Sequence, residues 1–393
     1  LQCAQTCFPL YGLKNQLVLC DMIGTLADSA GTALGDPQLT GLYLPGLMEK
    51  FMKTELTSDH MFPITECLSS VIIAIGLEFQ SYALIAVTRA LQLLEMTVRS
   101  SLSASSSGDE PISKDFAVCA LDLLSALVEG LGQNFTSLLA SLSSTPNAAL
   151  ADLWQLVHHC LADPATDLRQ SAFALVGESF KSCPSLFSSV LPDIFRESVG
   201  NLDLAESMVS NNVVWAVGEA AGQYGRDGMQ LLPNGLLGGI VEIIHMDEEL
   251  IQLSLRQNAA ITLGRVAAAL PETLQVFLPD CLVPWIRSLL LVQSPQERYY
   301  SYSGLVQLLH CDPQLLMTNG AANEFVLLCC EWEVPEDDLD ESLKQQEIKL
   351  IGAMREILLA IRGMNLQIWS DLMQRVPSES VHQLHTIFSL PPA

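Results

Sequence analysis

Two clusters in this 393-residue chain have types and spacings that could do chemistry. His158, His159 and Cys160 are consecutive, and an imidazole beside a thiol is the pairing that activates a nucleophilic cysteine. Glu379, His382 and His385 recur at intervals of three. That spacing would put three potential metal ligands on one face of a helix. Neither cluster is completed elsewhere. The histidine–cysteine run lies on an apolar helix ending at Asp163, where core and helix-end histidines are the commoner use. The C-terminal set has no partner set to finish a metal site and reads as a polar helix face. Cys3 and Cys7 are four apart with no histidine near them. The chain carries no phosphate loop, no dinucleotide-binding glycine pattern and no nucleophile elbow. We therefore expect no catalysis, no metal and no cofactor.

Charge offers a second kind of chemistry. Asp21 and Asp28 are seven apart, on one helix face two turns apart. Asp122 and Glu129 repeat that spacing, and Glu178 and Glu219 fall in the register of Asp28 and Glu129. Like charges on one face repel, and a basic ligand would relieve the repulsion. The competing reading is an ordinary solvated helix face. Trp215 follows Asn211 and Asn212 by one turn and aligns with Ala174 and Ile261. It is either a groove anchor for a peptide or a core residue bridging two repeats. The asparagines, unfavourable inside helices, bond either an extended ligand backbone or a neighbouring turn.

These residues need elements to hold them. Apolar residues at three- and four-residue spacing recur along nearly the whole chain, in roughly nineteen helical stretches, with no convincing strand alternation. Three segments align without gaps: Arg169–Gly177, Ser210–Gly218 and Arg256–Gly264. Their terminal glycines are 41 and 46 residues apart, the period of HEAT or armadillo repeats. Asp21–Asp28 and Leu121–Glu129 are weaker copies. Asp167 and Arg169 suit the turn and start of a second HEAT helix, and small residues there allow close helix packing. The predicted fold is all-α, a right-handed α-solenoid of HEAT repeats with about nine to ten helix pairs. It should run from residue 1 to 393, with the aligned second helices lining the concave side. A polar connector is expected at 100–113 and an acidic inter-helix turn at 331–341.

Composition narrows the partners. There are 44 acidic and 19 basic side chains, a formal net charge of −25. Phosphate binding needs the opposite sign, so nucleic acid is not expected, nor is an anionic membrane surface. A basic partner is favoured, and solubility alone would also explain the charge. No uninterrupted apolar run reaches the length of a membrane span, so no membrane insertion is expected. The eleven cysteines are scattered, mostly in apolar helical runs, and read as free buried thiols of a reducing compartment. The chain opens at Leu1 with a helix already under way by Leu10, which suggests a segment of a longer protein.

The order of several short motifs goes further. Ile23-Gly-Thr-Leu-Ala-Asp28, Glu66-Cys-Leu-Ser-Ser70, Lys114-Asp-Phe116 and Ala120-Leu-Asp-Leu-Leu-Ser125 are followed by Glu129-Gly-Leu-Gly132, Asn211-Asn212, Trp215-Ala216, Gly218-Glu219, Gly264-Arg265 and Asp337-Asp-Leu339. Together they resemble the C-terminal half of the transportins, the karyopherin-β2 class of nuclear import receptor. The resemblance implies a protein that shuttles between cytoplasm and nucleus. It would bind cargo through extended basic nuclear localization signals that end in a proline–tyrosine pair. By that resemblance Asp21, Thr25 and Asp28 would contact the arginine-containing middle of a signal. Asp122, Glu129, Asn211, Trp215 and Ile261 would form the groove for its upstream part. Val118 stands where the family often has isoleucine, and Glu178 where it often has aspartate. Nucleoporins and Ran-GTP are partners implied for the full-length receptor. Most of the Ran site and the proline–tyrosine pocket belong to earlier repeats. The alternative kept open is a HEAT scaffold subunit without a peptide groove, which would bury Trp215.

Overall fold

The computed structural model describes residues 1–107, 110–143, 153–247, 251–317, 319–332, 341–364, 366–376 and 378–390. Among them every regular element is an α-helix or a short 3₁₀ segment. The chain divides into two compact units, Leu1–Glu197 and Ser198–Ala393.

Unit 1 contains α1 (Gln2–Leu10), α2 (Leu13–Ala30), α3 (Pro37–Lys53), α4 (Met61–Ile75), α5 (Gln80–Ser107), α6 (Asp115–Leu131), α7 (Asn134–Ser143), α8 (Leu153–Leu161) and α9 (Thr166–Ser182). The division from unit 2 falls inside α10 (Leu191–Asn201). Helices pair along the chain, α1 with α2, α3 with α4, α5 with α6 and α8 with α9. The second members then stack in a row, α2 on α4, α4 on α6 and α6 on α9. This is the two-layer HEAT arrangement read from the repeat period.

Unit 2 continues with α11 (Ser207–Met229), α12 (Asn234–His245), α13 (Leu253–Ala269), α14 (Leu278–Leu289), α15 (Pro295–Cys311), α16 (Ala321–Cys330), α17 (Glu341–Met364), α18 (Leu366–Arg375) and α19 (Ser378–Ile387). Its second-helix row is α11, α13, α15 and α17, each packed on the next. The outer row is α12, α14 and α16.

Small residues set the spacing of these rows. A Cβ on Gly218 of α11 would stand 2.5 Å from Thr262 Oγ1 of α13, and one on Gly130 of α6 would stand 2.7 Å from the Ile72 carbonyl oxygen of α4. Backbone therefore approaches backbone where any larger residue would push the helices apart. Gly31, Gly76 and Gly132 end α2, α4 and α6, with φ between 53° and 54°. Only glycine adopts that conformation without strain, so these three second helices stop at the same kind of residue.

One segment differs from the sequence reading and another falls mostly outside the described residues. The polar segment expected as a connector over 100–113 is helical through Ser107, the end of α5. Of the acidic turn at 331–341, residues 333–340 lie outside the described residues, while Trp332 is buried and Glu341 opens α17. Two helical stretches, Lys14–Gly35 and Met61–Ala104, have the length and apolar composition of a membrane span. The second is not one rod, because Gly76 turns the chain between α4 and α5.

Candidate functional site

The second-helix row of unit 1 carries a groove of about 540 Å³. Its lining from α4 includes Phe62, Thr65, Glu66, Ser69 and Ile73; α6 adds Asp115, Val118, Cys119 and Asp122, and α9 adds Asp167. Phe62 forms part of the floor, stacked on Phe116 with ring centroids 4.7 Å apart. Ile73 stays exposed at the edge. Two sequence candidates, Val118 and Asp122, are thus brought together in one recess. Neighbouring protein desolvates the Asp122 carboxylate and raises its pKa, an effect partly offset by a hydrogen bond from the Ser171 hydroxyl. Among the described residues four carboxylates and no lysine or arginine line the groove. The potential inside is negative, and three of the carboxylates, Glu66, Asp115 and Asp167, had not been singled out for binding. Glu66 and Asp115 lie in the family-like motifs and Asp167 at a helix start, but nothing in their spacing indicates that α4, α6 and α9 converge.

Asp21, Thr25 and Asp28 are exposed on α2, the first helix of the same row. Thr25 donates its hydroxyl to the Asp21 carbonyl at 3.0 Å, which leaves both carboxylates on the open face. They do not line the groove around Asp122.

The rest of the acidic column is less free than its register implies. Glu178 is buried, accepts from the Ser182 hydroxyl, and lies 3.3 Å from Lys181 Nζ. The same ammonium is 3.8 Å from Glu129. Desolvation raises the Glu129 pKa, repulsion from Glu178 raises it further, and Lys181 pulls it back. Glu129 therefore remains an exposed acid with an internal competitor, while Glu178 serves the fold. The register identified an acid in four second helices, but a basic residue on the same or a neighbouring helix decides whether it is available.

In unit 2, Trp215 is half-buried and donates its indole N–H to Glu219 Oε1 at 3.0 Å. Glu219 is buried and paired with Arg265 Nη1 at 2.6 Å. Arg265 Nη2 reaches both oxygens of Glu297, at 3.1 and 3.0 Å, and its guanidinium lies 5.4 Å from the Tyr300 ring centroid. Asn211 accepts from Asn258 Nδ2 at 3.1 Å, so it ties α11 to α13 as in an asparagine ladder. Ile261, expected as an apolar anchor, is only 7% exposed. Its alignment with Trp215 preserves helix register, but α13 turns that position into the packed interior.

The histidine–cysteine cluster does not assemble. His158 is exposed, stacks on Trp154, and meets Glu197 at 3.1 Å, whereas Cys160 is fully buried with its thiol pKa pushed up to about 12 by desolvation. The two side chains have different surroundings, and that thiol is protonated at neutral pH. His385 bonds the Leu390 carbonyl and His382 is exposed, while the Glu379 side chain lies outside the described residues. Among the described residues no group of three His, Cys, Asp or Glu side chains is placed to hold a metal.

No family model matches the chain. Among curated proteins, human "Transportin-1" is 33% identical over 340 residues, covering 84% of this chain and 36% of that protein. "Importin subunit beta-2" of Schizosaccharomyces pombe is 30% identical over 349 residues, covering 86% and 36%. "Transportin-1" of Oryza sativa subsp. japonica is 27% identical over 362 residues, covering 91% and 38%. The chain spans little more than a third of the length of these relatives.

Proposed function

We infer that this chain, homologous to the transportins over 84% of its length, is part of a nuclear import receptor that moves between cytoplasm and nucleus and binds cargo proteins through a basic localization signal. The groove of unit 1 takes basic side chains of that signal, and Trp215 of unit 2 takes an apolar one. No bond is made or broken; the function is recognition and release.

The observation that supports this most is the charge of the groove: Glu66, Asp115, Asp122 and Asp167 without a lining base. A disordered cationic segment relieves their repulsion, and screening over about 8 Å at physiological salt confines the effect to charges lining the recess. Each exposed pair contributes roughly 0–1 kcal/mol. An aromatic anchor adds roughly 2 kcal/mol or more. Ordering the ligand opposes both, which keeps binding reversible. The acceptance of a proline–tyrosine ending, nucleoporins and Ran-GTP belongs to the full-length receptor in this reading. A scaffold subunit would also bury and pair acids as Glu178 and Glu219 are paired, but it has no use for four unneutralised carboxylates around one recess.

The test is fluorescence anisotropy of a labelled signal peptide with an apolar segment and a basic cluster, at low and moderate salt. We expect salt-sensitive binding, weakened about tenfold or more by Trp215→Ala, the equivalent of roughly 1.4 kcal/mol. Binding that ignores salt, or a native folded chain that binds nothing, would sink the reading.

A further inference from the structure

We propose that Glu219 and Arg265 are positioning residues that hold the Trp215 indole edge-in, so that it offers a ligand its ring face and not its N–H. This rests on the peptide-binding reading above and specifies how that site selects its side chain.

The argument begins with the indole. A half-buried tryptophan needs an acceptor for its N–H, and Glu219 lies four residues on, one turn along the same face of α11. The bond is 3.0 Å. A charged acceptor makes the stronger bond, and burying a carboxylate is costly unless a cation pairs with it. Arg265 supplies that cation from α13 at 2.6 Å. The guanidinium is itself fixed, with Glu297 of α15 on its other nitrogen and the Tyr300 ring beneath it. The chain of contacts thus runs from the indole through three helices of unit 2.

The backbone under the indole is equally constrained. Thr262 Oγ1 of α13 donates to the Val214 carbonyl at 2.8 Å, and Asn258 Nδ2 bonds Asn211 one turn earlier. Gly218 leaves no room for a side chain between the helices. Both the peptide unit beside Trp215 and the far edge of its ring are held, and the remaining freedom is small.

The consequence is chemical. With its N–H consumed, Trp215 cannot donate to a ligand carbonyl or hydroxyl. Its accessible surface is an electron-rich ring face, which takes aliphatic groups, another aromatic ring or the flat guanidinium of an arginine. Preorganisation also spares the ligand the cost of ordering the indole.

A double-mutant cycle tests this with the same labelled peptide. Glu219→Ala should weaken binding roughly fivefold in the native background and less than twofold in Trp215→Phe, which has no N–H to hold. Arg265 keeps Glu297 as a partner in that variant. Glu219→Gln, which retains an acceptor of the same reach, should restore affinity to within about twofold of native. Heteronuclear NMR of the unliganded chain should show the Trp215 indole cross-peak moving in Glu219→Ala and staying near its native position in Glu219→Gln. Equal losses from Glu219→Ala in both backgrounds, or a Gln variant as weak as Ala, overturn the positioning role while leaving the receptor reading intact. A native chain that binds no peptide overturns both, and an indole cross-peak indifferent to Glu219→Ala overturns the positioning role without reference to any ligand.

Discussion

Gly264 and Gly304 face one another where α13 packs on α15, so closely that a Cβ on Gly304 would overlap the Gly264 carbonyl oxygen. Neither backbone has a side-chain hinge that could yield. Gly304→Ala must therefore separate the helices, at a cost of about 1–3 kcal/mol or more, as in overpacked cores. Gly352 of α17 has nothing within 4 Å of the equivalent point, and Gly352→Ala should gain roughly 0.5–1 kcal/mol from helix propensity. Urea denaturation of the two variants should move the midpoint in opposite directions.

Asp122 carries a prediction whose two readouts have opposite sign. Its folded pKa lies above the ordinary value because the recess desolvates it. The folded state then binds the proton more tightly than the unfolded one. Stability falls as pH rises from about 4, the unfolded value, through the folded pKa, and the penalty is complete above it. Asp122→Asn removes that penalty, so it should raise stability at pH 7 and change little near pH 3. The same variant should weaken basic-peptide binding at pH 7. Thermal melts across pH alongside anisotropy would check both.

Arg265 and Arg226 both bridge carboxylates in unit 2, yet their removal should differ. Arg265 and Glu219 are 8% and 9% exposed in their side chains, while Arg226 and Glu272 are 56% and 44% exposed. Arg265→Ala leaves a buried carboxylate unpaired and should cost about 3–5 kcal/mol. Arg226→Ala should cost far less, because water replaces the partner. Chemical denaturation at equal ionic strength separates the two.

Lys181 lies between Glu129 and Glu178 and competes with any basic ligand for Glu129. Lys181→Ala should strengthen binding of a basic peptide by about two- to fivefold, within the range of a single exposed ion pair. The gain should fade in high salt. Unchanged affinity at low salt would mean that Glu129 takes no part in binding.

The HEAT period was legible because close helix stacking admits only small residues at one register. Gly218 and Gly264 recur in the sequence for the same reason that a Cβ has no room there. That Asp122 belongs to a second-helix face was also legible, since second-helix positions repeat their direction from one helix to the next, whereas Val118 was indicated only by the family resemblance. The roles of Glu178, Glu219 and Ile261 were not. Their register was read correctly, but Lys181, Arg265 and the packing of α13 determine what those side chains meet. The acids Glu66, Asp115 and Asp167 escaped because they come from three helices spread over a hundred residues.

By itself, then, the sequence determined the all-helical repeat, the acidic balance and the second-helix rows that carry the candidate residues. These follow from periodicity and residue type, which act locally and are written along one helix at a time. Tertiary structure alone decided which acids stay open to a ligand and which are consumed by neighbouring cations, and that the Trp215 N–H is spent on Glu219. Glu219 stands one turn from Trp215 and Lys181 one turn from Glu178, but Arg265 of α13 on Glu219 and Lys181 of α9 on Glu129 are partners from other helices, and no spacing within a single helix encodes those.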